Sequence, residues 1–321
     1  GPVTLDDPGF GVGSSMATRS SSGKLFDQIA DKVPGFIGGA ADLAASTKTH
    51  ISASGSFSRN DRTGRNIDFG IREHGMAALV NGMAVHGGLR PYGATFLVFN
   101  DYMRPATRLA ALMEAPTIFI YTHDSIFLGE DGPTHQPIEH LASLRAMPNM
   151  WVVRPASAAE TAEAWELALG RTDGPTALVL TRQGLPEFER EPGGVHRGGY
   201  VARHGDDAVL IATGSEVSLA LEAARLLEAR GISLRVVSLP SWEAFFAQDP
   251  AYRSGVLGRD LPRASLEAAS TFGWHRFTGS SGLNIGIDHF GASAPAGRLA
   301  EEWGFTPVAV ADRIEAWLAA G

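Results

Sequence analysis

Residues 121–137, YTHDSIFLGEDGPTHQP, gather two histidines and three acids around glycine and proline. Imidazoles can donate, accept or relay a proton near neutral pH, and carboxylates accept hydrogen bonds from ligand hydroxyls. Gly132-Pro133 interrupts any helix that would carry His123, Asp124, Glu130, Asp131 and His135 on one face. The segment therefore reads as a strand over 117–122 that delivers its polar residues into a loop at its C-terminal end, where α/β proteins bind ligands. His135 and His140 are separated by Pro137, and the chain has neither a cysteine nor a His-Glu-x-x-His sequence, so no protein-held metal is expected. No Gly-x-Gly-x-x-Gly or Walker sequence occurs to support nicotinamide or nucleoside triphosphate binding.

The elements that would position these residues alternate between strand and helix. Strands are expected at 36–38, 67–69, 92–97, 117–122, 151–154 and 177–181, and helices at 74–85, 104–113 and 158–169. Ser157 and Glu160 have the spacing of a capping box for the last of these. Residues 184–199, with two prolines and a cluster of glycines, break the pattern and divide the chain into an N-terminal domain over 16–190 and a C-terminal domain over 191–321. In the second domain a strand at 208–212 leads into Thr213-Gly-Ser-Glu216, read as another capping box, and then a helix with Val217, Ala220, Leu221, Ala224 and Leu227 on one face. Strands near 234–237 and 264–267 and helices near 294–303 and 314–319 follow. Such alternation predicts an α/β protein of two domains, each a mostly parallel sheet flanked by helices.

Composition sets outer limits. A hydrophobic share of 44% over 321 residues suits two folded cores rather than a disordered chain. The net charge of −8 argues against a nucleic-acid-binding surface, and no apolar run reaches membrane-spanning length. With no cysteine there is no disulfide or thiol nucleophile, and a soluble, cytoplasmic protein is expected. Gly1-Pro2 reads as a tag-cleavage scar, and residues up to 15 as a flexible lead-in.

Together with GGAADL at 38–43, GIREHGM at 70–76 and TFLVF at 95–99, the 121–137 loop resembles the transketolases, thiamine-diphosphate enzymes that move two-carbon ketol units between sugar phosphates. The resemblance runs from about Ala17 to the C-terminus and covers the second half of a usual transketolase. It implies that Glu73 hydrogen-bonds a pyrimidine nitrogen of the cofactor, that Phe96, Phe99 and Tyr102 seat the aminopyrimidine, and that Asp42 orients a neighbouring histidine or the ligand. It also implies donor-phosphate contacts from Arg19, Ser46, His123 and Arg182, with Asp131 and His135 at the donor hydroxyls. Considered singly, these residues have ordinary readings: an acid at a helix start, phenylalanines in an apolar strand, arginines at a surface. Phe96 and Phe99 also fall on opposite faces of an ideal strand, so seating one ring with both requires the chain to leave strand geometry between them.

The resemblance also shows what is missing. Transketolases hold the diphosphate and its magnesium or calcium through a Gly-Asp-Gly motif in an N-terminal domain, and this chain has no Gly-Asp-Gly. The expectation is the C-terminal subunit of a split transketolase, working with a separate diphosphate-binding chain in a heterotetramer of two plus two, on sugar-phosphate substrates. An expressed fragment of a longer enzyme is the nearest variant. Alternatives are the beta subunit of a 2-oxo acid dehydrogenase decarboxylase, a specialised biosynthetic ketol or acyl transferase, and a non-catalytic assembly subunit. Phe127, where glycine is common in the family, is expected beside the substrate channel, where it would exclude long sugars or favour an unusual donor.

Overall fold

A computed structural model describes residues 3–6 and 11–320. The expected scar residues and much of the expected flexible lead-in lie outside them. Residues 3–6 are nevertheless pinned: Leu5 is buried, its amide donates to Glu166 Oε1 at 2.6 Å, and Lys32 Nζ donates to the Thr4 carbonyl at 2.7 Å. Ser15 opens a short strand, so the lead-in reading does not hold for these residues.

The first layer contains β1 (Ser15–Ala17), α1 (Thr18–Lys32), β2 (Phe36–Ala40), α2 (Ala44–Thr47), α3 (Glu73–His86), β3 (Arg90–Phe96), α4 (Asn100–Leu112), β4 (Ile118–Thr122), α5 (His140–Arg145), β5 (Trp151–Val153), α6 (Ala158–Gly170), β6 (Thr176–Leu180) and β7 (Gly184–Pro186). Its main sheet runs β2-β3-β4-β6-β5, with every pairing parallel. All five residues of β4, IFIYT, are buried, as befits a strand covered on both faces. One covering layer is α1 against α6, where Phe26 meets Trp165 edge-on at 5.6 Å and Trp165 Nε1 donates to Ser22 Oγ at 2.8 Å. The opposite face is closed by α3 and α4, whose Met76, Val80, Met103 and Ala110 pack beside Phe119 and Tyr121.

β1 and β7 form an antiparallel ribbon that closes this unit, and the second sheet begins after it. It holds β8 (Tyr200–Arg203), β9 (Ala208–Ala212), α7 (Glu216–Glu228), β10 (Leu234–Ser238), α8 (Trp242–Phe246), α9 (Pro250–Leu257), β11 (Arg263–Leu266), α10 (His275–Thr278), β12 (Leu283–Ile285), α11 (Ala296–Glu302) and α12 (Pro307–Ala319). The order is β12-β11-β9-β10-β8, parallel except for β8. This is the two-domain α/β architecture that the alternating pattern predicts.

Several local expectations are corrected. Residues 67–69 form no strand; only Asn66 bridges to Gly38 and Ser56, before the chain turns at Gly70 with φ +69°. α4 begins at Asn100 rather than 104 and runs through Pro105, which is tolerated because the carbonyl it leaves unbonded belongs to exposed Asp101. At α6 the Ser157 side chain caps the Glu160 amide, but Glu160 returns its bond to Ala156 N at 2.7 Å, one residue earlier than a capping box predicts. The second expected box does not form: α7 has no side-chain cap, because Thr213 and Glu216 are engaged with Arg154.

Arg154 follows β5 and is fully buried between the two sheets. Its Nε and Nη2 donate to Asp124 Oδ2 at 2.9 and 2.7 Å, and its Nη1 to Glu216 Oε2 at 2.5 Å and to Thr213 Oγ1 at 2.9 Å. Glu267, at the end of β11, accepts both terminal nitrogens of Arg145 at 2.7 and 2.8 Å. Burial alone would raise the Glu267 pKa, but the Arg145 and Arg154 guanidiniums outweigh it and hold the carboxyl down to about 2. Charges from both domains thus neutralise one another in a common seam. Breaking such a seam is costly, since each remaining charge would lie buried without a partner.

Candidate active site

The site lies at the C-terminal edge of the parallel sheet, where β2, β3, β4 and β6 release their loops. β3 ends at Phe96, and residues 97–99 turn as a 3-10 helix into α4. That departure from strand geometry lets Phe96 and Phe99 share a side. Their rings stack with centroids 5.9 Å apart and planes within 13°, and Tyr102 extends the stack at 5.7 Å from Phe99. Tyr102 is 64% exposed, so the wall opens outward. His123 lies against Phe96 at 3.7 Å, and His135 meets Phe99 edge-on at 5.5 Å.

His123 follows the last residue of β4 with φ +60°, a left-handed backbone uncommon for a residue with a Cβ. Such strain persists only where neighbours fix it. Here Thr122 Oγ1 lies 2.9 Å from His123 Nδ1 and orients the ring, which is 4% exposed. Burial, then the charges of Arg19 and Arg182, then His135, push the His123 pKa down to about 3. The imidazole is neutral near pH 7.

Those electrostatic partners define a cationic pocket. Arg19, in the first turn of α1, donates through Nη1 to the Ser46 carbonyl at 2.8 Å, while its Nε is buried without a hydrogen-bond partner among the described residues. Burial and then the Arg182 charge lower the Arg19 pKa. Arg182, just beyond β6, donates to the Leu128 carbonyl at 3.3 Å. Like charges held this close are unfavourable alone and suit an anion. The structure therefore brings together Arg19, Ser46, His123 and Arg182, and beside them Phe96, Phe99, Tyr102 and His135.

Glu73, Asp42 and Asp131 have no hydrogen bond or ion pair to this cluster among the described residues. Glu73 is the first residue of α3, half-buried, and opens the helix at the same sheet edge because a crossover helix runs back antiparallel to its strands. Asp42 has φ +61° and lines a cavity of about 220 Å³ with His50, Asn66 and Asp68. Asp131 is exposed at the turn before Gly132. None of the three makes a side-chain hydrogen bond or ion pair among the described residues, so each presents an uncommitted carboxylate.

Two expected neighbours leave the site. Asp124 turns inward to Arg154 and joins the domain seam. Phe127 points away from the cluster: it packs in the second domain's core, edge-on to Phe305 at 6.2 Å. The expectation that its ring narrows a substrate channel is overturned, because a hydrophobic pocket between domains holds it. Sequence reasoning also missed what fixes the loop. Gln136 is buried and donates to the carbonyls of Gly129 at 2.9 Å and Ala292 at 3.0 Å, and Ser293 Oγ donates to the Glu130 carbonyl. Gly291 permits this approach, since a Cβ there would lie 1.6 Å from Gln136 Oε1. Gln136 was visible in the motif, but its partners in the second domain were not.

Comparison with known proteins places this geometry in context. Residues 14–187 match the family described as transketolase, pyrimidine binding domain, and residues 198–306 match the transketolase-like TK C-terminal domain. The transketolase of Halalkalibacterium halodurans is 53% identical over 319 residues, 97% of this chain and 48% of that protein. That of Bacillus subtilis is 51% identical over 318 residues, again 48% of its length. The chain thus spans about half the length of the curated relatives it matches. Pichia stipitis transketolase, in a structure described as a complex with sedoheptulose 7-phosphate, superposes with a TM-score of 0.94 and 42% identity, covering 99% of this chain and 48% of that one. A structure described as a split gene transketolase, inactive beta4 tetramer, has a TM-score of 0.77 and 27% identity, covering 95% of this chain and 99% of that one.

Proposed function

The chain belongs to the transketolase family, matching its C-terminal half, and on that premise we propose that it is the C-terminal subunit of a split transketolase. It transfers a two-carbon ketol unit from a ketose phosphate to an aldose or aldose phosphate when a second chain completes the site. The observation that carries this reading is the cationic pocket of Arg19, His123 and Arg182 set directly against the stacked wall of Phe96, Phe99 and Tyr102. A sugar phosphate needs the first, and a flat heteroaromatic cofactor the second.

The residues present fit one half of thiamine diphosphate. The stacked rings suit its pyrimidine by offset contact, and Glu73, half-buried and without a side-chain partner among the described residues, can share a proton with a ring nitrogen. Asp42 helps orient that end. When bound, the cofactor supplies the chemistry that breaks and forms the carbon–carbon bond. The chain's own groups do the rest. Arg19 and Arg182 clamp the donor phosphate with Ser46, neutral His123 offers a directional hydrogen bond, and His135 and Asp131 contact donor hydroxyls, the former able to move a proton.

Nothing in this sequence corresponds to a Gly-Asp-Gly anchor for the diphosphate and its magnesium or calcium, which the partner chain would carry. The exposed apolar side chains Ile71, Leu79 and Val85 around α3, with Leu109, Leu112 and Met113 along α4, support a large partner interface on that face. Two such chains with two diphosphate-binding chains make the expected cytoplasmic heterotetramer. The split-gene neighbour of nearly equal length supports the division of labour.

Glu73→Gln in the assembled enzyme tests the assignment, because an amide cannot share the same proton. Ketol transfer should fall roughly a hundredfold or more with circular dichroism unchanged. A near-normal rate would remove Glu73 from the mechanism.

A further inference from the structure

We propose that Asp101, Glu139 and His140 form a binding site for a divalent transition-metal cation with zinc-like preferences. The site stands on geometry that no linear spacing reveals. Asp101 comes from the first turn of α4, whereas Glu139 and His140 come from the entry to α5, and packing of the 121–139 loop brings them together. One ligand atom from each lies within 4.8 Å of the others. His140 Nε2 is 3.2 Å from Asp101 Oδ1, and His140 Nδ1 is 3.9 Å from Glu139 Oε2.

The second observation is His140 itself. It is only 4% exposed, yet neither ring nitrogen makes a hydrogen bond among the described residues. A buried imidazole of this kind ordinarily finds a partner. Its side chain faces a cavity of about 350 Å³, lined also by Phe99, Asp101, Tyr102, Glu139 and Phe290.

Bond lengths of about 2.0–2.2 Å around a tetrahedral ion separate its ligands by roughly 3.3–3.6 Å. The His140 Nε2–Asp101 distance already matches, whereas Glu139 lies 3.9 Å from the other ring nitrogen, so its exposed side chain must swing round to share an ion with Asp101 on a single nitrogen. One nitrogen and two carboxylates, with a water in the fourth position, suit zinc, cobalt or nickel better than calcium, which takes more oxygens at longer distance. Both carboxylates are more than half exposed, which gives the ion a path from solvent. The bound ion would sit against the Phe99–Tyr102 wall and cancel two negative charges beside it.

The test uses the untagged chain with zinc alone in equilibrium dialysis, and cobalt absorption to read coordination. The expected result is one tight equivalent per chain, with cobalt bands typical of four-coordination. Asp101→Asn and His140→Gln should each weaken binding at least about tenfold, whereas His86→Gln, an exposed histidine elsewhere, should leave it unchanged. Should His140→Gln unfold the chain, Glu139→Gln at the exposed rim provides the same comparison. No stoichiometric binding, or binding that survives the ligand substitutions, would overturn the proposal.

Discussion

Arg182→Ala should separate binding from stability in a way that a structural arginine would not. Among the described residues Arg182 makes one long hydrogen bond, to Leu128 O at 3.3 Å, and its charge opposes those of Arg19 and a protonated His123. Loss of a charge-assisted contact to a donor phosphate costs about 1.5–3 kcal/mol, or roughly 10- to 150-fold in KM. An unphosphorylated donor such as hydroxypyruvate should be nearly unaffected. Relief of repulsion offsets the lost hydrogen bond in the fold, so urea unfolding of the chain should show a stability between unchanged and about 1 kcal/mol higher.

A second readout of the same variant is the acid limb of stability. His123 is neutral in the folded chain, with its pKa near 3, whereas an unfolded histidine titrates near 6.5. Below about pH 6.5 the unfolded state takes up the proton first, so this contribution is full above that pH and fades toward pH 3, by up to about 1.4 kcal/mol per pH unit. Removing Arg182 raises the folded pKa, leaves burial and Arg19 still depressing it, and narrows the window from its acid end. NMR titration of His123 measures the shift. Equal KM losses on both donors, together with a destabilisation above about 1 kcal/mol, would refute the anion-pocket reasoning and make Arg182 structural.

Two further substitutions test the frame around the site. Arg154→Met leaves Asp124 and Glu216 buried without their cation and should cost about 3–5 kcal/mol in urea unfolding; a cost below about 1 kcal/mol would contradict the seam. Phe127→Gly should lower stability by about 1–3 kcal/mol through lost packing against Phe305. It should not widen the range of sugars accepted, and a broadened range at unchanged stability would restore the channel reading.

What the sequence disclosed follows from which interactions are local. β4 and its loop were legible because a buried parallel strand needs a continuous apolar run and Gly132-Pro133 forbids helix, both visible within a few residues. The turn between Phe96 and Phe99 was inferable, since two rings cannot share a face of an ideal strand. By contrast, Thr213 and Glu216 have the spacing of a helix cap, but the buried Arg154 draws both away, and nothing near residue 213 announces an arginine from the other domain. Phe127, Asp124 and Gln136 were misread or missed for the same reason: their partners, Phe305, Arg154 and Ala292, are distant in the chain.

If this chain holds half of a cofactor site, tight cofactor binding should require the chain that carries the other half. Calorimetry with thiamine diphosphate and calcium, on the chain alone and then mixed with a chain carrying Gly-Asp-Gly, tests it most directly when followed by transfer assays from xylulose 5-phosphate and pyruvate. Weak binding and no transfer are expected of the chain alone, because the charged diphosphate would remain in solvent. The mixture should bind the cofactor tightly, assemble two plus two, and transfer ketol units. Tight binding with full transfer by the chain alone would contradict the split site, and a mixture that decarboxylates pyruvate without ketol transfer would contradict the activity.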